Sequence, residues 1–173
     1  LLLAAAPVSG PAATRGEGQA GIGAPERWSA ETEILLFTAA RRDHLEVTIE
    51  PALSAGDIVV SDRFADSTRV YQGAARGDLR ALVDRLHDMV IGREPDLTFV
   101  IDMDPGIALE RGLARRSGED RFEDMGADFQ ARLRQGFRAL AESDPARCRL
   151  VDGGRDEDIV AGDVLRLAEA ALR

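Results

Sequence analysis

The apolar positions of this chain alternate between helical stripes and short runs of strand length. Helical spacing predicts a long helix from Thr32 to roughly Ala55, kinked or ended by Pro51. The remaining predicted elements are, in order, a strand at Ile58–Ser61, a helix at Leu79–Ile91, a strand at Leu97–Asp102, a helix from Pro105 through Leu113, a helix at Phe129–Ala141, a strand at Arg149–Val151 and a helix at Ile159–Leu172. Strands that alternate with helices predict an α/β fold with a parallel sheet and helices on both faces, in three layers.

Residue types that can carry chemistry follow the predicted strands directly. Asp62 and Arg63 follow the first strand, Asp102 and Asp104 lie at the end of the second, and Asp152 follows the third. Ligands of parallel sheets bind beyond the carboxyl ends of the strands, so this edge is the predicted binding edge. For Asp102 and Asp104, a turn or capping role is favoured over catalysis.

The segment after the first strand has the spacing of a binding face. Arg63, Ser67 and Tyr71 recur every fourth residue and share one face if the segment is helical. The guanidinium of Arg63 suits phosphate, while Ser67, Tyr71 and Gln72 offer neutral hydrogen bonds for a sugar or a base. An ion pair of Asp62 with Arg63 at a strand end explains the spacing equally well, so both interpretations stay open.

Two further groups have both a functional and a structural interpretation. Phe37 and Arg41 lie one helical turn apart, which fits a core aromatic residue beside a solvated arginine as well as a binding pair. Four arginines surround a glycine-containing turn, at Arg111, Arg115, Arg116 and Arg121. A solvated helix face is the ordinary explanation of such charge, and a mobile lid is the alternative.

Composition narrows the class of protein. A chain of 173 residues that is 45% hydrophobic fits a single domain with one core. A net charge of −9 argues against binding to nucleic acid or to an anionic membrane. The one cysteine, Cys148, cannot form an internal disulfide and is interpreted as a buried thiol, which favours the cytoplasm. No apolar run reaches the ~20 residues that a membrane span needs.

Four stretches together resemble the bacterial thymidylate kinases, which phosphorylate dTMP with ATP. Asp62-Arg63-Phe64, then Ser67, then Tyr71-Gln72-Gly73 is similar to the family signature DR[YFH]...S...YQG. The stretches at Glu31–Arg41, Glu94–Thr98 and Gly118–Glu123 resemble its E-LLF-AAR helix, its RPDLT strand and its lid. The resemblance covers roughly residues 28 to 173 and implies a fold of the P-loop kinase type.

By this resemblance, the chain carries an acceptor pocket for dTMP. Phe37 would stack on the thymine ring, Arg41 would hydrogen-bond to its edge, and Arg63 would hold the phosphate. The rest of the pocket would be lined by Asp62, Ser67, Tyr71 and Gln72. Stacking of a base on an aromatic ring contributes about 1–3 kcal/mol, which matters for a small ligand.

The resemblance also implies a donor side, with ATP as phosphate donor, Mg²⁺ as its companion ion and no metal-ligating residue assigned. Catalysis would involve Arg63, Arg115, Arg116 and Arg121, the last three from a lid at about residues 115–122. Contacts to ATP would come from Arg111, Arg115 and Arg155. A homodimer would form through the helices at Thr32–Leu53 and Leu79–Ile91, although their apolar stripes equally fit packing on the sheet.

The chain departs from the family in its first part. All 22 of its Lys and Arg residues are arginines, so it contains no phosphate loop of the form GxxxxGK[ST]. We expect residues 1–27 to be an irregular Gly/Ala/Pro-rich segment, residues 28–173 to form the α/β domain, and the first strand and phosphate loop to be absent. A sheet without its central strand would be marginally stable.

Two functions follow from these features. The first is a thymidylate kinase that transfers the γ-phosphate of ATP to dTMP, giving dTDP. The second is a truncated or non-catalytic relative that binds nucleotides or forms dimers but lacks the phosphate loop.

Overall fold

The strands and helices alternate as the sequence predicts. The computed structural model of the protein describes residues 1–7, 28–75, 78–108, 111 and 126–172. Its strands are β1 (Leu2–Pro7), β2 (Val59–Asp62), β3 (Leu97–Asp102) and β4 (Cys148–Asp152). Its helices are α1 (Ala30–His44), α2 (Glu50–Ser54), α3 (Ala65–Thr68), α4 (Arg80–Leu86), α5 (Gly126–Ser143) and α6 (Glu157–Ala171).

Three π-helical stretches extend the shorter helices. They cover Leu45–Ile49 between α1 and α2, Arg69–Ala75 after α3 and His87–Ile91 after α4. The long helix predicted from Thr32 is therefore three consecutive helical stretches. Residues 105–108 are also helical, as the sequence predicts from Pro105.

The sheet is parallel, with the strand order β2-β1-β3-β4. Strand β1 lies in the middle, with Ala4 opposite Ser61 of β2 and Ala5 opposite Phe99 of β3. The expectation of an absent first strand and an irregular start is therefore wrong for Leu2–Pro7. This segment consists of leucine, alanine and one proline and contains no β-branched residue, so its local propensity does not indicate a strand. It forms a strand because β2 and β3 supply backbone partners on both sides. The reason for expecting marginal stability disappears with this correction.

Apolar side chains pack on both faces of the sheet. Alternation along β1 sends Leu2 and Ala4 to one face and Leu3 to the other. The first face packs against Leu45 and Ile49 of the stretch after α1, Ala65 of α3 and Ile91 of the stretch after α4, and the second packs against Ala168 of α6. A third apolar cluster joins α5 to β3, β4 and the stretch after α3, with Phe137 fully buried. These layers confirm the predicted α/β architecture.

Candidate functional site

The chain bends sharply where β2 ends. Asp62 is exposed at the last position of the strand, and Arg63 follows with φ +67°, in the left-handed region that few residues other than glycine adopt. The hydroxyl of Ser61 donates a hydrogen bond to the carbonyl of Arg63 at 2.8 Å. Strained backbone of this kind costs about 1–3 kcal/mol and occurs preferentially at functional sites.

The bend brings Arg63 onto Tyr71, although Arg63 itself is not part of the helix that the predicted spacing assumed. The guanidinium carbon of Arg63 lies 4.9 Å from the centre of the Tyr71 ring. Tyr71 is buried and meets Phe137 of α5 edge-on, with ring centres 6.0 Å apart. Ser67 is buried, and its hydroxyl has no hydrogen-bond partner within the part of the chain that the structure describes.

Helix α1 supplies the second half of the predicted pocket. Arg41 donates from Nη2 to the hydroxyl of Thr68 at 2.7 Å and to the carbonyl of Phe64 at 3.3 Å. Burial, with a further effect from the Arg69 charge, lowers the pKa of Arg41 to about 10. Arg41 is therefore directed at the segment after β2, and Phe37 lies half-buried one helical turn before it. The interpretation of Arg41 as a solvated arginine is wrong.

A second polar link joins α1 to the same segment. Gln72, which is buried, donates from Nε2 to Glu33 at 3.3 Å. Sequence reasoning included Gln72 and missed Glu33. From the same helix, the family resemblance assigned roles only to Phe37 and Arg41.

An ion-pair network centred on the buried Asp66 and Arg69 reaches the partly exposed Asp84 and Glu94, and sequence reasoning missed it. Arg69 donates to Asp66 at 2.9 Å, to Asp84 at 2.9 Å and with two nitrogens to Glu94. Burial raises the pKa of Asp66, but the hydrogen bond and charge of Arg147 outweigh it and hold that pKa below its usual range. Burial likewise raises the pKa of Glu94, and the hydrogen bonds and charge of Arg69 outweigh it and bring that pKa below its usual range.

The carboxyl end of β3 carries a separate ion cluster. Asp102 accepts two hydrogen bonds from Arg134, at 2.7 and 3.0 Å, and one from Arg138 at 2.9 Å. The hydrogen bond of Arg134 lowers the pKa of Asp102 against the opposing effect of burial. Asp104 accepts from the backbone of Gly106 at 2.9 Å, which is the predicted turn role. Asp102 therefore anchors α5, a role that the sequence did not indicate.

The predicted donor side comes together around the loop after β4. Arg111 donates to the carbonyl of Gly153 at 3.0 Å and to that of Arg155 at 3.1 Å. Arg155 pairs with Asp163 of α6. The other predicted donor residues, Arg115, Arg116 and Arg121 in the lid at about 115–122, lie outside the described residues.

No group of three or more His, Cys, Asp or Glu residues in the described ranges could hold a metal ion. None of the helices described has the length and apolar content that crossing a bilayer requires.

A parallel sheet with these arginine-containing loops at its carboxyl edge defines an α/β protein of the P-loop kinase type. The sequence model of the family described as thymidylate kinase matches residues 22–164. The chain belongs to the thymidylate kinase family. Strand β1 lies outside the matched range.

Individual relatives agree with this assignment. The chain is 68% identical over 143 residues to a thymidylate kinase of Dinoroseobacter shibae, covering 83% of this chain and 69% of that protein. It is 65% identical over 153 residues to one of Jannaschia sp., covering 86% and 74%. The crystal structure of thymidylate kinase from Ehrlichia chaffeensis superimposes with a TM-score of 0.65 at 33% identity, covering 83% of this chain and 67% of that chain.

Proposed function

We propose that this chain transfers the γ-phosphate of ATP to dTMP and forms dTDP. The observation that carries the proposal is Arg63, held at the end of β2 with φ +67° and stacked on Tyr71 at 4.9 Å. Relatives at 63–68% identity that are named thymidylate kinases favour this enzyme over a non-catalytic nucleotide-binding relative.

The acceptor pocket in this proposal lies between α1 and the segment after β2. Arg63 holds the phosphate of dTMP, because a guanidinium offers two parallel donors to phosphate oxygens. Phe37 stacks on the thymine, and Arg41, already turned toward Thr68, donates to the edge of the base. The buried hydroxyl of Ser67 supplies a neutral hydrogen bond.

The remaining pocket residues have supporting roles. Tyr71 backs Arg63 with its ring face, and Gln72 fixes the end of the segment to Glu33. Asp62, exposed at the end of β2, faces the binding edge of the sheet.

The donor side lies around the loop after β4. Arg111 holds that loop through its carbonyls. In this proposal Arg111 and Arg155 contact ATP, which binds together with Mg²⁺. Phosphoryl transfer needs mainly positioning and charge stabilisation, and arginines delivered by a closing lid can raise the rate about 10³- to 10⁵-fold. The lid arginines proposed for this role are Arg115, Arg116 and Arg121.

The proposal includes a homodimer in the cytoplasm. Leu36 and Val47, on α1 and its π-helical extension, are 41% and 70% exposed, and Met89 after α4 is 81% exposed. Such exposed apolar side chains on adjacent helices fit a surface covered by a second copy. The buried, unpaired thiol of Cys148 fits a reducing compartment.

The test is a coupled assay of ADP release with Mg-ATP and dTMP, with dUMP, dCMP and shikimate as comparison acceptors. We expect turnover on dTMP, its loss in Arg63→Ala, and its retention in Arg166→Ala, which removes an exposed arginine of α6. The chain has no lysine, so turnover would mean that other groups fill the role of the phosphate-loop lysine. A folded wild type with no turnover on any acceptor would overturn the proposed activity for this chain.

A further inference from the structure

Asp66 links the acceptor side of the molecule to two distant strands. It is 1% exposed, and both of its carboxylate oxygens are occupied. Oδ2 accepts from Arg147 at 2.6 Å and from the hydroxyl of Thr98 at 2.8 Å. Oδ1 accepts from Arg147 at 3.1 Å and from Arg69 at 2.9 Å. Arg147 therefore grips Asp66 with two nitrogens.

This contact crosses the sheet. Asp66 belongs to α3, directly after the edge strand β2, whereas Thr98 lies in β3 and Arg147 in the turn before β4. Strand β1 separates β2 from β3, so the sheet itself gives α3 no direct bond to β3 or β4. Arg147 is fixed in turn by Asp144, which accepts from its Nε at 2.9 Å.

The segment needs such an anchor. Helix α3 and its π-helical extension together cover only residues 65–75, which is shorter than the ~12–15 residues that an isolated helix needs to hold its own geometry. Arg63, three residues before Asp66, has a left-handed backbone that persists only where the surroundings fix it. Ser67, the next residue after Asp66, is buried. Its hydroxyl has no partner among the described residues, so it can bind a ligand.

We propose that the Asp66–Arg147 ion pair is a positioning device for dTMP binding, which sets α3 so that Arg63 and Ser67 reach the phosphate and the sugar. The inference rests on the proposed function and deepens it. Neither residue touches the substrate, so both are positioning residues. A role limited to stability is the alternative, because buried ion pairs often contribute to a fold without affecting a site.

The test separates positioning from stability. Arg147→Met keeps the apolar stem and removes the donors to Asp66. Two controls accompany it: Arg93→Met removes an arginine that pairs with Glu50 away from α3, and Leu167→Ala truncates a side chain of α6 that packs on the sheet. For each protein we would measure the thermal midpoint, the Kd of dTMP by calorimetry, and the KM values for dTMP and ATP.

We expect Arg147→Met to raise the Kd and the KM of dTMP about 10- to 100-fold, as misplacement of a binding group does, with the KM of ATP unchanged. Arg147→Lys should recover thermal stability more than dTMP affinity, because lysine restores the charge without the two-nitrogen grip. Both control variants should bind dTMP with the wild-type Kd, however much their thermal midpoints fall.

Two results would overturn the inference. One is wild-type dTMP affinity in Arg147→Met with a lowered midpoint, and the other is weakened affinity in Leu167→Ala at an equal loss of midpoint. If Arg147→Met does not fold, Arg147→Lys keeps the charge and loses the two-nitrogen grip on Asp66, and unchanged dTMP affinity in that variant overturns the inference. Failure of the wild type to bind dTMP is a separate result, which refutes the proposed function and this inference with it.

Discussion

The guanidinium of Arg63 rests on the ring of Tyr71, with 4.9 Å between the guanidinium carbon and the ring centre, although Arg63 lies outside the helical stretch that carries Tyr71. The ring of Tyr71 packs in turn on Phe137 of α5. A cation over an aromatic ring gains about 0.5–2 kcal/mol, more when the pair is desolvated. The position of the proposed phosphate-binding charge therefore depends on the packing of α5.

The Arg63→Gly and Arg63→Ala variants should differ in stability but lose dTMP binding to the same extent. Both substitutions remove the guanidinium, so we expect both Arg63→Gly and Arg63→Ala to lose dTMP binding. Glycine adopts φ +67° without steric cost, so the glycine variant should be about 1 kcal/mol more stable than the alanine variant. Urea unfolding and dTMP calorimetry check the two parts. Equal stability of the two variants would show that the backbone at this position is not strained.

The loop after β4 should not tolerate a side chain at Gly153. A Cβ there would lie 2.6 Å from Cγ2 of Ile101 and 3.2 Å from the carbonyl oxygen of Asp102. We expect Gly153→Ala to displace the carbonyls that Arg111 holds, and so to raise the KM for ATP and lower the free energy of unfolding by about 1–3 kcal/mol, as overpacking does.

A matched glycine in α6 should give the opposite result. A Cβ at Gly162 would meet nothing within 4 Å, and alanine favours a helix interior over glycine by about 0.5–1 kcal/mol. Gly162→Ala should therefore raise stability and leave the KM for ATP unchanged. The same pair of assays decides both cases, and a stable Gly153→Ala with normal ATP kinetics would contradict the proposed role of the loop.

Stability should fall as the pH is lowered below about 5, toward and below the ordinary carboxyl pKa of about 4. Asp66, Glu94 and Asp102 all have pKa values below their usual range in the folded protein. At a pH between the folded and the unfolded pKa values, the unfolded chain binds more protons than the folded protein. Lowering the pH through this range therefore favours unfolding, until these carboxylates are protonated in both states. Stability is fully present above the unfolded pKa.

Asp102→Asn tests this dependence. The variant should be less stable than the wild type at pH 7, because Arg134 and Arg138 lose a charged partner. It should also lose less stability between pH 5 and pH 3, because one proton fewer is taken up on unfolding. Urea unfolding at several pH values measures both effects, and parallel pH curves for variant and wild type would refute the assignment to Asp102.

Cys148 should be inert in the folded protein. Burial, with the Asp66 charge as a second cause, raises the pKa of its thiol to about 11. At pH 8 only about one molecule in a thousand then carries the reactive thiolate. A chromogenic disulfide reagent should react slowly in native buffer and fully in guanidinium chloride. Fast reaction in native buffer would mean that β4 opens readily.

The sequence predicted elements best where local pattern and burial agree. The strand at Leu97–Asp102 is found with the predicted ends, because its apolar run is buried on both faces and is bounded by Pro95 and by Asp102. Strand β1 was missed, because Leu2–Pro7 has the composition of a low-complexity segment and becomes a strand only through its neighbours. Its formation depends on tertiary pairing, which secondary-structure propensities of the local sequence do not predict.

The candidate site was predictable to the extent that its residues share one motif. Arg63, Ser67 and Tyr71 recur every fourth residue, and this spacing placed them on one face on the assumption that the segment is helical, whereas Arg63 lies before the helix with a left-handed backbone. The Asp66–Arg147 pair joins residues 81 positions apart, and single-sequence reasoning has no signal for such a separation. The proposed lid arginines lie outside the described residues, so their role stays a prediction.

The central place of β1 has a kinetic consequence. The backbone of Leu2 donates to the side chain of Asp96, 94 residues further along the chain, and the backbone of Val59 donates to the carbonyl of Leu1 at 2.8 Å. Contacts between such distant residues require the closure of long loops, and proteins rich in them fold slowly. Strand β1 can therefore complete its pairing only after β3 has formed, and until then the edge that β3 will cover is open to wrong partners.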